Sequence, residues 1–196
     1  MNNAAENWER FLDPDVLRPS LLSATMFITA FELLKDCIVD RVRDFYTLGW
    51  GDKTAISPEY EQGVLTRDKK RRPLPASLDW LREHDAIDEA DLQIFKSLTD
   101  IRNQLAHELF SVVTGQVPSE YESLFPALLG LLRKVEVWWI VNVEIPTDPD
   151  YDGKEIDESG ITPGALLSLQ MLIEVASGRT ELLEQWRKIR AVKSQQ

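Results

Sequence analysis

Hydrophobic residues recur at helical spacing along most of the chain. In residues 20–46 they fall three or four positions apart, and Pro19 marks the expected start because proline disfavours helical backbone in the residue before it. The clearest pattern covers 88–115, where acidic residues occupy the first turn that the helix dipole favours for negative charge. Both segments are predicted to be amphipathic helices.

Three further segments continue the helical prediction. A short helix is predicted over 76–84. Residues 119–143 carry a helical stripe, although 135–145 also alternates like a strand. We predict helix there because a lone strand would have no pairing partner. Residues 163–192 are predicted to form two helices separated by Gly178.

Turn-forming residues indicate how these helices are organised. Glycine and proline interrupt the pattern at about 47–75, which predicts a long loop, and residues 146–160 are acidic and rich in turns. We therefore predict an all-α fold, an antiparallel helical bundle with a helical C-terminal extension. Residues 1–145 would form the bundle, and 146–196 an acidic connector and C-terminal helices packed on the same domain.

Composition narrows the classes of function. The 196 residues include 22 Lys and Arg against 33 Asp and Glu, a net charge of −11. This balance disfavours non-specific coating of duplex DNA or of an anionic membrane, because both require basic surfaces. No run of about eighteen uncharged apolar residues is present, and residues 1–10 lack the apolar core of a signal peptide. We expect a cytoplasmic protein with no membrane partner.

The residues that commonly bind metals or cofactors form no strong motif. The single cysteine, Cys37, lies in an apolar stretch and is predicted to be buried; alone it excludes an intrachain disulfide and a multi-cysteine zinc site. Residues 148–153 copy the first half of a calcium-binding loop, but its twelfth position is Ser159 rather than glutamate. No glycine-rich phosphate loop is present. We predict no metal site and no cofactor.

The predicted helix at 88–115 carries the candidate catalytic residues. On a helical wheel its core side is formed by Ile94, Leu98, Ile101, Leu105 and Leu109. Asn103 and His107 fall roughly opposite, in line with Lys96 and Asp100, and Arg102 lies on the flank. We expect Arg102, Asn103 and His107 to project within two turns of one another, away from the protein interior.

These three residue types suit RNA cleavage. Arginine presents a fork of donors that matches a phosphate, histidine can exchange a proton near neutral pH, and asparagine can orient either group. Together they suit attack by a ribose 2′-hydroxyl on its neighbouring phosphodiester, a reaction that requires no metal. One histidine supplies either the acid or the base, so a second copy across a two-fold axis would supply the other. This predicts a homodimer.

The string from Arg102 to His107, Arg-Asn-Gln-Leu-Ala-His, resembles the RxxxxH signature of the HEPN superfamily, whose active members are metal-independent endoribonucleases. A polar residue such as Asn103 is favoured at its second position. The Ala-Phe-Glu-Leu-Leu-Lys string at 30–35 is similar to the first helix of such domains, and the resemblance covers about residues 20–142. It implies that Arg102 stabilises the scissile phosphate, that His107 acts as general acid or base, and that Asn103 positions the phosphate.

The resemblance also implies a biological setting. Such domains are toxins or antiviral defence effectors, with RNA as substrate and an antitoxin or regulatory protein as a possible partner. Leu109 occupies the place, two after the histidine, where some members carry a tyrosine that the antitoxin modifies, which argues against that form of control. The alternative is a non-catalytic helical binding or regulatory module, in which Arg102 and His107 would lie in salt bridges.

One dense basic run interrupts the acidic chain at 67–72. It is either a solvated loop or a loop that contacts RNA phosphates, which an acidic RNA-binding protein would need. The candidate RNA contacts are Arg67, Lys69, Lys70, Arg71 and Arg72.

Overall fold

The computed structural model describes residues 4–49, 53–115 and 120–193. Over these residues the protein is all-α apart from one two-stranded hairpin. The chain divides into two compact units, Met1–Ile161 and Thr162–Gln196. The division falls after the acidic connector, whereas the division predicted from the sequence falls before it, at residue 145.

The helices and strands follow one another in a simple order. The first unit contains α1 (Ala4–Leu12), α2 (Pro14–Phe45), β1 (Thr47–Leu48), β2 (Ala55–Ile56), α3 (Pro58–Gly63), α4 (Pro73–Glu83), α5 (Glu89–Val113), α6 (Tyr121–Trp139) and α7 (Ile145–Thr147). The second unit contains α8 (Gly164–Ala176) and α9 (Glu181–Lys193). A π-helical turn, Ile140–Glu144, joins α6 to α7, so the segment at 135–145 is helical as predicted.

The start of α2 differs from the prediction. The helix begins at Pro14 and passes through Pro19, where the sequence pattern predicted a start. Asp13 caps it by accepting a hydrogen bond from the Asp15 amide at 2.9 Å, and Pro14 occupies the first position, where a missing N–H costs nothing. Pro19 removes one intrahelical hydrogen bond near this end, and the length of the helix tolerates that loss.

Helix α2 lies at the centre of the first unit, where it contacts α4, α5 and α6. Phe31 packs on Phe95 of α5 with ring centroids 5.6 Å apart, and Phe27 packs on Phe125 of α6 at 6.2 Å. The indoles of Trp80 and Trp139 stack nearly parallel, 5.6 Å apart. Trp139, which is 2% exposed, is therefore a core residue.

A buried carboxylate also ties α2 to α6. Glu136 is 4% exposed; it accepts hydrogen bonds from the Arg41 guanidinium at 3.0 Å and the Cys37 thiol at 2.7 Å. Burial and the Glu136 carboxylate raise the pKa of the Cys37 thiol. Cys37 is thus buried as predicted, and it lies in an environment that disfavours the reactive thiolate.

The segment predicted as a long loop at 47–75 contains short ordered elements. Strands β1 and β2 pair antiparallel, with Thr47 opposite Ile56. Helix α3 follows, capped by Ser57, and a 3₁₀ turn covers Leu65–Arg67. These elements are too short to produce a periodic pattern, which is why the sequence suggested a loop.

The second unit is the helical extension. Helix α8 ends before Gly178, whose φ of 84° lies in the left-handed region that glycine adopts without strain, as the sequence predicted. One segment among the described residues, Glu158–Ala176, which begins in the first unit and ends with α8, is long and apolar enough to cross a membrane by length and composition alone. Its α-helix covers only Gly164–Ala176, about 20 Å, against a hydrocarbon core of about 30 Å.

Candidate functional site

Helix α5 carries the three candidate catalytic residues and is anchored firmly at its N-terminus. Asp88 and Asp91 form a reciprocal capping box, each side chain accepting from the other residue's amide at 2.9 to 3.0 Å. The Lys134 ammonium of α6 then binds both carboxylates. These contacts fix the start of α5 and its rotation against α6.

The buried stripe of α5 differs from the predicted one. Phe95, Leu98, Leu105 and Val112 are buried, whereas Ile94, Ile101 and Leu109 are only half-buried. The buried residues are spaced by three and seven positions, and the half-buried Arg102 falls between Leu98 and Leu105, at the edge of the face that packs on α2. The expectation that Arg102 projects away from the interior holds only in part, because its side chain is 32% exposed but turns towards α2.

Arg102 is instead held by an acid on α2. Its guanidinium donates from Nε to Glu32 Oε1 at 2.9 Å and from Nη2 to the same oxygen. Lys35, one turn further along α2, binds the other Glu32 oxygen. The side chains of Arg102 and Glu32 are 32% and 31% exposed, so this pair lies at the rim of the core.

Glu32 is ionised at neutral pH. Its partial burial acts to raise its pKa, but hydrogen bonds from Lys35 and Arg102 outweigh that effect and leave the pKa below its ordinary value of 4.5. The guanidinium of Arg102 therefore faces a full negative charge.

Asn103 and His107 occupy the outer face of α5, as predicted. Both are exposed, as are Lys96 and Asp100. Residues five apart in a helix lie about 140° apart around its axis, so Arg102 and His107 leave α5 on different sides. Asn103 lies between them, and its Oδ1 accepts from Arg102 Nη1 at 3.3 Å. One edge of the guanidinium thus points towards the face that carries His107.

His107 stands at the end of the straight part of α5. The next residue, Glu108, has non-helical backbone angles (φ −124°, ψ 21°), and the helix kinks there. Within the residues that the structure describes, His107 has no hydrogen-bond or ion-pair partner. An exposed imidazole without such a partner is able to bind a ligand or exchange a proton.

Glu32 was not among the site residues predicted from the sequence. It belongs to the 30–35 string that carries the resemblance, but a single acid on an amphipathic helix gives no sign of its partner. The pairing with Arg102 joins residues 70 positions apart, and only the packing of α5 on α2 reveals it.

The basic run is largely neutralised by neighbouring acids. Arg67 binds Asp79 and Glu83, Arg71 binds Glu61, and Arg72 binds Asp68. Hydrogen bonds from Arg72 lower the pKa of Asp68. Of the five candidate RNA contacts, Lys69 and Lys70 are exposed and have no ion-pair partner among the described residues.

His84 and the calcium-loop-like segment at 148–153 both have structural roles. His84 caps the C-terminus of α4 and stacks on Trp80 at 3.8 Å between ring centroids. Asp148 accepts a hydrogen bond from the Asp150 amide at 3.0 Å, as in an ordinary turn. In the described parts of the chain, no group of three or more His, Cys, Asp or Glu side chains is arranged to hold a metal ion.

Comparison with protein-family models, curated proteins and solved structures finds no match to this chain.

Proposed function

We propose that this chain is a HEPN-type endoribonuclease that cleaves RNA without a metal ion, with Arg102, Asn103 and His107 at a site shared by two copies. The observation that carries the proposal is the contrast within α5: a charged arginine fixed by Glu32 beside an exposed histidine that has no partner among the described residues. This arrangement supplies a fixed cation and an accessible proton carrier on one helix.

The reaction follows from these groups. The ribose 2′-oxygen attacks phosphorus and loses its proton to a base, while the bond from phosphorus to the 5′-oxygen breaks and that oxygen receives a proton from an acid. The products are a 2′,3′-cyclic phosphate and a 5′-hydroxyl end. His107 of one copy would serve as base and His107 of the other as acid, and Arg102 would stabilise the charge on the phosphoryl oxygens.

Glu32 would act as the residue that positions Arg102. A guanidinium has five N–H donors; Glu32 accepts from Nε and Nη2 and Asn103 accepts from Nη1, which leaves the second N–H of each Nη nitrogen for a further acceptor. The Arg102 side chain is 32% exposed, so a phosphate can reach its remaining N–H donors. Holding the side chain in one rotamer beforehand lowers the entropic cost of binding that phosphate.

A second function, a non-catalytic binding or regulatory module, is favoured by the same salt bridge. If Arg102 serves only to join α5 to α2, its pairing with Glu32 fulfils that role completely. The hypothesis of a non-catalytic module also predicted a salt bridge for His107, but His107 has no such partner among the described residues. We therefore place the non-catalytic module second.

The decisive experiment is cleavage of a mixed set of RNAs by the purified protein in EDTA. His107→Ala is the test variant, and His84→Ala is the matched control because His84 is the other histidine of the chain. We expect the wild type and His84→Ala to give cyclic-phosphate ends and His107→Ala to lose at least about a hundredfold in rate. Equal activity of all three, or none in any of them while the dimer is intact, contradicts the proposal.

A further inference from the structure

The second unit leaves seven large hydrophobic side chains exposed. Four large hydrophobic residues of α8 are 42% to 56% exposed: Leu167, Met171, Leu172 and Val175. Three on α9 are 46% to 62% exposed: Leu183, Trp186 and Ile189. Contiguous apolar surface of this kind marks an interaction site in a protein that remains in solution.

The exposed residues form stripes rather than scattered points. On α8, Leu167, Met171 and Val175 follow one another at intervals of four, on the side of the helix opposite the buried Leu169. On α9, Leu183, Trp186 and Ile189 are spaced by three. Helix α8 therefore presents an apolar face to its surroundings, and α9 presents an apolar face that Arg190, four positions after Trp186, interrupts near the end of the helix.

Charge distinguishes this region from the rest of the chain. Residues 179–193 contain five basic and two acidic residues, whereas the whole chain carries a net charge of −11. Arg187 lies about 100° from Trp186 around α9, at the border of the apolar stripe, and is exposed. An apolar stripe that contains tryptophan and has an arginine at its edge is typical of helices that lie in the surface of an anionic membrane.

We propose that α8 and α9 form a peripheral binding site for an anionic lipid surface. The apolar stripes would enter the boundary between headgroups and acyl chains, with Trp186 at the interface where tryptophan is favoured. The basic residues of α9 would contact lipid phosphates. At about 20 Å, α8 is too short to span the bilayer, so the helices lie on the membrane rather than cross it.

This inference revises the expectation drawn from composition. The net charge of −11 is an average, and the electrostatic attraction of a membrane decays within about 10 Å at ordinary salt. A local basic region can therefore act against an acidic remainder. The inference is independent of RNA cleavage, because none of its residues belongs to the proposed catalytic site.

The test is co-flotation of the full chain with two kinds of vesicle. One is made of phosphatidylcholine alone, and the other also contains about 30% phosphatidylglycerol, which gives a strongly negative surface. We expect binding to the anionic vesicles, weakened by high salt. Trp186→Glu should abolish it, and Gln185→Glu, which adds the same charge away from the stripe, should retain most of it. Arg187→Glu with Lys188→Glu should weaken binding at least about tenfold.

Charge alone is controlled by Arg18→Glu with Lys96→Glu, which makes the same change on exposed residues of the first unit and should leave vesicle binding unaltered. The proposal is overturned if the wild type does not float with anionic vesicles, or if Trp186→Glu floats equally well. A third result would also overturn the proposal: the wild type does not bind vesicles, and light scattering gives a smaller mass for Trp186→Glu than for the wild type. The apolar stripe of α9 would then form a contact between copies of the chain.

Discussion

At the scale of single residues, the most informative contact is that between Arg102 and Glu32. Glu32→Gln would keep the size of the side chain and remove its charge, so Arg102 would lose its fixed partner. If Arg102 binds the scissile phosphate, we expect RNA cleavage to fall about tenfold or more. The free energy of unfolding should fall by less than about 1 kcal/mol, because both side chains are about one-third exposed.

Lys35→Gln is the matched control for this change. It removes the other cation bound to Glu32 and leaves Arg102 in contact with the carboxylate. Cleavage rates and urea melts of both variants separate positioning from stability. Equal cleavage by Glu32→Gln and the wild type would contradict a positioning role for Glu32.

The same pair predicts a pH dependence. The folded pKa of Glu32 lies below the ordinary value of 4.5 that applies in the unfolded chain. The stabilisation from its ionised form is therefore complete above 4.5 and is lost as the pH falls through the folded pKa. We expect the difference in stability between wild type and Glu32→Gln, measured in urea, to shrink below pH 4.5 and to vanish at still lower pH.

The Glu136 contacts make a larger prediction for stability. Glu136 is buried, so Glu136→Ala would leave the Cys37 thiol and part of the Arg41 guanidinium without an acceptor. We expect a loss of about 1–3 kcal/mol, reduced from the value for a fully buried pair because Arg41 is 37% exposed. Glu144→Gln removes the exposed partner of Arg41 and should cost less than about 1 kcal/mol by the same urea measurement. Similar losses in both would contradict the role given to burial.

At the scale of helices, the cap of α5 connects stability to the candidate site. Asp88→Ala would remove one half of the capping box and one of the two carboxylates that bind Lys134. We expect a loss of about 1 kcal/mol, the usual cost of an N-cap. Glu89→Ala, the exposed neighbouring residue, should change the free energy of unfolding by less than about 0.5 kcal/mol. Urea denaturation of the two variants measures the difference.

The sequence predicted long helices well because several turns repeat the same pattern. The acidic first turn of α5 and the break at Gly178 are examples, since each has a local physical cause. Helix α1 was missed because its nine residues span too few turns. The direction of the Arg102 side chain was misjudged because the wheel gave the core side to Ile94 and Ile101, which are half-buried, and left out Phe95, which is buried. Only the packing of α5 on α2 fixes which face of α5 is buried.

At the scale of the whole molecule, the proposed site requires two copies, and this can be tested without a structure of the dimer. If acid and base come from the His107 side chains of two copies, a mixed dimer with one His107→Ala copy lacks one of them. After wild type and His107→Ala are mixed and left to exchange, only dimers with two wild-type copies are active. Activity at fixed total protein should then vary with the square of the wild-type fraction.

With equal amounts of the two proteins we expect about one quarter of the full activity, against about one half if each copy works alone. Ser97→Ala is the matched control, because Ser97 is exposed on α5 and lies ten residues before His107. Mixing wild type with Ser97→Ala should leave activity proportional to total protein. A linear dependence for His107→Ala, with exchange demonstrated by labelled subunits, would contradict the shared site and leave Arg102 and His107 to act within one copy.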